Sequence, residues 1–257
     1  MSAALRYEWV RTTTVRSTWV LVALGILLPA ALTLFVAWAT SDFVASGQSA
    51  GPGGPGSENF APFGLSGATV LLLGSLLVTI GAVAFGQEYR HGLIRVTLSV
   101  LPHRNAVFAA KTLMVIAVTV VTAIIAIAAI ALGNYIGLAI GGTSDPTTLS
   151  AGLQAQLRAL LVVVFFVLVA MALTALTRNQ PLGILIPIVG AAVVEPIITL
   201  IAQFQEWTWI DWVLPFNGAI ASVNTSGAEA WGHLGVSAIW LAAVLIPAWV
   251  LFNRRDA

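Results

Sequence analysis

Six long apolar runs, separated by polar stretches, dominate the pattern of hydrophobic and polar positions along the chain. The runs cover residues 19–40, 64–85, 112–133, 159–177, 182–203 and 234–252. A hydrocarbon layer about 30 Å thick needs about 20 residues of helix, so each run is long enough to cross it. A transmembrane β-barrel would instead show segments of about ten residues that alternate in polarity, and this pattern does not occur. We therefore predict an all-α integral membrane protein with six membrane-spanning helices.

Composition agrees with this class and removes several kinds of chemistry. Apolar residues make up 59% of the chain and charged residues 8%. There is no cysteine, so disulfides, thiolate catalysis and cysteine-ligated metals are excluded. Lys111 is the only lysine and follows Ala109 and Ala110, so a phosphate-binding Gly-x-x-x-x-Gly-Lys-[Ser/Thr] loop is ruled out. We predict no catalytic residue, no metal and no cofactor in this chain, and any nucleotide must bind to another subunit.

The basic residues favour one orientation across the membrane. If the N-terminus lies inside, all basic residues except Arg158 fall on the inner side. These are Arg6, Arg11, Arg16, Arg90, Arg95, Arg104, Lys111, Arg178, Arg254 and Arg255. Because Lys and Arg are enriched in cytoplasmic loops, we expect a multi-pass protein of the inner (plasma) membrane with both termini in the cytoplasm.

Two segments outside the runs are predicted to lie at the membrane surface. Residues 2–18 place Leu5 and Trp9 one helical turn apart among arginines and threonines, which suits an interfacial helix. A solvated tail would fit the same residues. Residues 204–232 combine four tryptophans with acidic residues. This mixture is typical of short re-entrant helices in the outer leaflet, or of a plain aromatic belt.

The connection between the second and third runs carries the densest polar chemistry of the chain. Residues 87–101 lack proline and end before Pro102, which predicts a short cytoplasmic helix. The segment has more apolar residues than a solvated connector needs, so we interpret it as a docking element. Arginines that only set the topology, with the apolar side chains resting on the bilayer, would explain the same composition.

Glu195 is the carboxylate that lies deepest within a predicted span. A charge in hydrocarbon is costly, so its side chain should face protein or water. Arg158 starts the neighbouring span on the same side, and the two residues are therefore candidates for an intramembrane pair. Such a pair would either belong to a translocation pathway or fix the packing of the helices, and we favour the structural role.

An enzymatic interpretation depends on two residues near the outer side. The tetrapeptide at 64–67, which contains Ser66, resembles the serine motif of rhomboid intramembrane proteases, and His233 lies near the start of the last run. A serine nucleophile needs a base within hydrogen-bond distance. The tetrapeptide is a weak signal in a chain with 23 glycines, so we do not expect a protease.

Short motifs in three parts of the chain carry a family resemblance. They are RYEW at 6–9, RSTW at 16–19, EYRHGLIR at 88–95, PHR at 102–104, AAK at 109–111, VEP at 194–196 and LPFN at 214–217. In order and spacing they resemble the permease subunits of ABC-2 type transporters with the type V exporter fold, in particular actinobacterial members.

The resemblance implies one permease domain over residues 1–257, with a coupling helix at 87–101 and short outer helices before the last span. In that family the coupling helix docks onto a separate ATPase subunit, which binds ATP and magnesium. The coupling residues implied here are Glu88, Tyr89, Arg90, His91, Leu93, Ile94 and Arg95. The expected partners are an ATPase dimer, a second permease half, identical or different, and the lipid bilayer, with no nucleic acid.

Two functions fit this resemblance. The first is the membrane-spanning subunit of an ATP-driven exporter of a drug, a peptide or a lipid-like substrate. The second is a sensor or immunity component that captures a ligand without moving it, with the same fold and the same ATPase contact. The sequence leaves both open.

Overall fold

The computed structural model describes residues 2–46, 64–100, 103–142, 149–207 and 209–254. The chain is helical in these ranges, and no strand occurs within them. The helices are α1 (Ser2–Thr14), α2 (Arg16–Ala39), α3 (Ser41–Ala45), α4 (Gly67–Arg90), α5 (Leu93–Val100), α6 (Arg104–Ile140), α7 (Leu149–Thr177), α8 (Gln180–Val189), α9 (Glu195–Phe204), α10 (Pro215–Asn224) and α11 (Gly227–Arg254). Most of the glycine-rich segment after the first run, and Pro102, lie outside the described residues.

Within the described ranges, six helices are long and apolar enough to cross a membrane. In chain order these spans lie in α2, α4, α6, α7, the unit formed by α8 and α9, and α11. The predicted all-α fold with six membrane-spanning helices is confirmed. Several helices extend beyond the predicted runs. Helix α6, for example, has 37 residues and continues past both ends of the run predicted at 112–133.

The fourth span, α7, is the centre of the helix bundle. It packs against α4, α6, α8, α10 and α11. In its most apolar stretch 72% of the residues are buried, against 11% for the sixth span. The bundle therefore surrounds α7, and the apolar surface of α11 is left open to a lipid or protein neighbour.

Glycines allow two pairs of spans to pack closely. A Cβ atom on Gly81 of α4 would lie 2.1 Å from the carbonyl oxygen of Val167 in α7, and one on Gly137 of α6 would lie 2.5 Å from that of Leu34 in α2. Both distances are too short for any side chain. Small residues that let helix backbones approach are a common means of association in membranes, and they fix α4 on α7 and α6 on α2.

The fifth span changes its helical geometry in the middle. A π-helical turn, Gly190–Val194, separates α8 from α9. Pro196, the second residue of α9, lacks an N–H group, and its ring crowds the carbonyl four residues earlier. The wider turn accommodates this break and sets the direction of the Glu195 side chain, which begins α9 and is buried.

Short helical elements fill the connection between the fifth and sixth spans. A 3₁₀ turn, Ile210–Trp212, precedes α10. Pro215 is the first residue of α10, where a backbone N–H would have no partner within the helix, so the lack of this group in proline costs nothing there. Helix α10 packs against α11, α7 and α4, so it is part of the bundle.

Candidate functional site

A tight turn at His91 and Gly92 separates the second span from α5. Gly92 has a φ of +65°, in the left-handed region that glycine adopts without strain. Its N–H donates to the carbonyl of Tyr89 at 3.3 Å. Because this turn ends α4 only at Arg90, the helix predicted at 87–101 begins later than expected, and its first residues belong to the second span.

Helix α5 presents an apolar face that the described part of the chain does not cover. Ile94 and Thr97 are buried against the bundle. Leu93, Val96 and Val100 are 47%, 60% and 73% exposed. Their spacing of three and four residues places them on one side of the helix. Helix α5 is thus anchored on one side and offers an apolar strip on the other, which we call the α5 strip.

Basic residues lie close to the α5 strip along the chain. Arg90, His91 and Arg95 are exposed. Beside them an open cleft of about 420 Å³ lies between the inner end of α4 and the start of α8. The guanidinium of Arg178 lies 5.8 Å from the ring centre of Tyr89 at this cleft. An apolar strip with a basic rim has the make-up of a protein interface.

The predicted coupling residues divide between this surface and the interior. Arg90, His91, Leu93 and Arg95 are exposed, and Tyr89 is half-buried. Ile94 and Glu88 are buried, and Glu88 is only 1% exposed. Glu88 therefore does not belong to a docking surface in this structure; it lies in a cluster of buried charges.

That cluster, which we call the inner charge cluster, joins three helices through four charged side chains. Lys111 Nζ of α6 lies 2.7 Å from Glu8 Oε1 of α1 and 2.5 Å from Glu88 Oε1 of α4. Arg11 Nη1 of α1 lies 2.7 Å from the same Glu88 oxygen and 3.3 Å from Glu8 Oε2. Two cations thus face two carboxylates, and the formal charges cancel.

Backbone groups add to the inner charge cluster, in which Glu88 Oε2 has no hydrogen-bond partner among the described residues. Lys111 Nζ donates to the carbonyl of Ala84 at 3.2 Å, and Arg11 Nη2 donates to the same carbonyl at 3.0 Å. Lys111 also lies 5.4 Å from the ring centre of Phe85. Lys111 is fully buried, so these contacts replace the water that its charge would otherwise need. The last turns of α4 are thereby tied to α1 and α6.

The two charges predicted to pair within the membrane do not do so. The carboxylate of Glu195 accepts hydrogen bonds from the backbone N–H groups of Phe216, at 3.2 Å, and Asn217. Arg158 Nη2 donates to the carbonyl of Thr225 at 3.1 Å. Both residues are described, and no ion pair joins them. Each contacts a different end of α10, because the π turn and the position of α7 direct them there.

The structure does not assemble the protease alternative. Ser66 is the N-cap of α4, and its hydroxyl accepts from the N–H of Thr69 at 3.2 Å. His233 stacks on Trp212 with ring centres 4.2 Å apart, and its Nδ1 has no hydrogen-bond partner among the described residues. Ser66 and His233 share no hydrogen bond, so the described residues do not bring this serine and this histidine together as nucleophile and base.

Sequence reasoning missed three members of the inner charge cluster: Glu8, Arg11 and Lys111. Two signals could have indicated them. Lys111 is the only lysine and adjoins a long apolar run. Glu8 and Arg11 share one face of α1, three residues apart, and Ala4 on that face is also buried. A helix that buries a carboxylate must supply a cation for it.

The fold and these sites define a helical membrane protein with six spans, an exposed apolar strip beside the second span and no assembled catalytic group among the described residues. A family model described as ABC-2 family transporter protein matches residues 4–194. The chain belongs to that family, and it is a permease component of an ABC transporter, which associates with an ABC ATPase and the membrane. A search of curated proteins found no match.

Proposed function

We propose that this chain is the membrane-spanning half of an ATP-driven exporter, and that a separate ATPase docks on the α5 strip. The observation that carries the proposal is the exposure of Leu93, Val96 and Val100 on a helix whose other side is anchored in the bundle. Apolar centres with charged rims are typical of protein interfaces. The arginines beside the strip suit an acidic surface on the ATPase.

The inner charge cluster supports the transmission of force from α5. Helix α5 follows the second span after a turn of two residues, and Glu88 lies in the last turn of that span. Because Glu88 is tied to Lys111 and Arg11, a push on α5 reaches α1 and α6 as well as α4. Rigid elements of this kind convert closure of a partner into tilting of helices.

The state of Lys111 supports placing the nucleotide on another subunit. This lysine is the only one in the chain, and it is fully buried against two carboxylates. Its ammonium is therefore not available to a phosphate group. In the proposed complex the ATPase binds both ATP and magnesium, and this chain supplies the membrane pathway.

A second permease half and an inner-membrane location complete the proposal. In the most apolar stretches of the fifth and sixth spans only 17% and 11% of the residues are buried. These surfaces suit lipid or a second half, identical or different. The inner placement of all basic residues except Arg158 supports cytoplasmic termini. The cargo we propose is a drug, a peptide or a lipid-like molecule.

A charge reversal on the rim tests the proposal. The tagged chain is purified from its native membrane, and mass spectrometry and vanadate-sensitive ATP hydrolysis report the ATPase that accompanies it. We expect Arg90→Glu with Arg95→Glu to lower this ATPase at least about tenfold, because charge reversal at an interface costs about 1.4 kcal/mol or more.

Two exposed arginines outside the rim provide the matched control. Arg6→Glu with Arg16→Glu makes the same change in charge at exposed positions of α1 and α2, and it should leave the ATPase bound. Equal recovery of ATPase with both double variants would contradict docking at α5. ATP-dependent uptake into inverted vesicles, absent when the chain captures a ligand without moving it, separates the exporter from the sensor.

A further inference from the structure

Helix α10 is contacted at its two ends by two buried charges, Glu195 of the fifth span and Arg158 near the start of the fourth. One face of α10 is buried against the bundle. On this face the ring centre of Phe216 lies 5.7 Å from that of Phe165 and 5.1 Å from that of Phe166, both in α7. Ala219 and Ser222 on the same face are fully buried. These contacts fix the face that α10 turns to the bundle, and the charges act at its ends.

The N-terminal end of α10 faces a carboxylate. Glu195 of α9 accepts from the N–H groups of Phe216 and Asn217, the second and third residues of α10. The first N–H groups of a helix have no partner within the helix, and they carry a partial positive charge. Glu195 therefore satisfies two open donors and places its negative charge at the positive end of the helix.

The C-terminal end of α10 faces a cation. Arg158 of α7 donates from Nη2 to the carbonyl of Thr225, the C-cap residue of α10. Arg158 is only 4% exposed, and its Nε and Nη1 have no hydrogen-bond partner among the described residues. Its positive charge thus lies at the negative end of the helix, and no carboxylate of the described residues pairs with it there.

We propose that Glu195 and Arg158 are positioning residues that clamp α10 by its helix dipole, so that α10 moves as one body with the fourth and fifth spans. Further contacts are compatible with this. Thr199 of α9 accepts from the Asn217 side chain at 3.3 Å, and Asn224 accepts from the N–H of Gly67 in α4 at 3.0 Å. Glu195 and Arg158 differ from these neutral contacts because the sign of each charge is opposite to the partial charge at the end of α10 that it contacts.

A dipole clamp and an ion pair respond differently when the charges are exchanged. An ion pair between two side chains survives exchange, because opposite charges still meet. The direction of a helix dipole is set by the direction of the chain, so exchange places a like charge at each end of α10. Glu195→Arg combined with Arg158→Glu should therefore be at least as damaging as either single change.

The absence of cysteine provides a clean reporter of the position of α10. Ser222 is fully buried in α10, and Ser222→Cys changes a single atom. The purified full chain in lipid nanodiscs is treated with a polar maleimide, and the rate of labelling is measured by mass. With native charges we expect slow labelling. Glu195→Ala and Arg158→Ala should each raise the rate about tenfold, as the loss of a charge at a helix end predicts.

Conservative variants separate clamping from simple packing. Arg158→Lys keeps a cation and should retain most of the protection, whereas Arg158→Met keeps the bulk and should lose it. Glu229→Gln, at an exposed carboxylate of α11 whose side chain is 58% exposed, is the control and should not change the rate. Elution as a single species in size exclusion shows that each variant is folded.

Two results would overturn the proposal. One is recovery of protection in the exchanged double variant, which would show an ion pair instead of a dipole clamp. The other is equal labelling of Arg158→Met and Arg158→Lys. The measurement uses neither ATP nor a partner, so its failure is distinct from a failure of ATPase docking at α5.

Discussion

The two ends of the helix bundle stabilise buried charge in different ways. At the inner end, four side chains of α1, α4 and α6 pair with one another, and their charges cancel. At the other end, Glu195 and Arg158 form no ion pair within the described ranges, and each contacts the backbone of α10 or its cap residue. Ion pairs tie three helices to one another, whereas the dipole contacts hold one short helix between two spans.

This difference indicates which end is rigid. A partner removed from a buried ion pair leaves an uncompensated charge, which costs about 3 to 5 kcal/mol. A charge at a helix terminus contributes up to about 2 kcal/mol. The inner end, next to α5, is therefore the firmer part of the bundle, and α10 at the outer end is held more weakly. That order suits a protein that receives force at one end and opens at the other.

The largest effect is expected from Lys111→Met. This change leaves Glu8 and Glu88 with Arg11 alone, so one buried negative charge is uncompensated. We expect a loss of about 3 to 5 kcal/mol of stability. The midpoint of thermal unfolding in detergent measures it, together with the yield of folded protein.

A second substitution sharpens this prediction. In Lys111→Met with Glu88→Gln the charges balance again, because Glu8 and Arg11 remain 3.3 Å apart. The double variant should regain more than half of the lost unfolding midpoint. If it unfolds at or below the midpoint of the single variant, the cluster does not act through charge balance.

A smaller effect is expected from Arg158→Met. The change removes one hydrogen bond and one dipole contact, and both losses destabilise the protein. It also removes a buried cation with two unpartnered donor atoms, which offsets part of that loss. We expect a loss of about 1 to 2 kcal/mol, measured by the same thermal unfolding. A loss of unfolding free energy equal to that of Lys111→Met would contradict the claim that buried charge is held more firmly in the inner charge cluster than at α10.

The smallest effect on stability is expected from salt. Raising the ionic strength from about 0.1 to about 1 M shortens the screening length from about 10 to 3 Å. The electrostatic interactions of exposed Arg90 and Arg95 should weaken with this change, whereas those of fully buried Lys111 should not. We expect the ATPase to dissociate several-fold more readily while the unfolding midpoint stays within the error of measurement. A parallel fall in both would show that the cluster is open to solvent.

Much of the fold could be predicted from the sequence, because an apolar run of about 20 residues has few alternatives to a membrane helix. The helix limits were less predictable. Gly92 ends the second span later than the apolar pattern suggests, and Pro196 marks a break in the fifth span without indicating that a π turn accommodates it. Both depend on backbone geometry that composition does not encode.

The partners of the charges were harder to predict than their positions. The charge pattern identifies Glu195 and Arg158 as candidates for a direct pair, since the backbone ends of α10 do not appear in a count of charges. The family resemblance implies a coupling role for Glu88 together with Arg90 and Arg95, whereas the structure buries Glu88. Its actual partners, Lys111 and Arg11, are 23 and 77 residues away in sequence, and only the folded chain brings them to Glu88.

The docking of an ATPase on the α5 strip can be measured most directly by photocrosslinking in native membranes. A benzophenone amino acid is placed at Val96, which is 60% exposed, or at Ile94, which is 7% exposed, one at a time. We expect a crosslink from position 96 to a protein that carries a phosphate-binding loop, and none from position 94. Crosslinks from position 96 to lipid alone, with the ATPase present in the same membranes, would contradict the docking of an ATPase at α5.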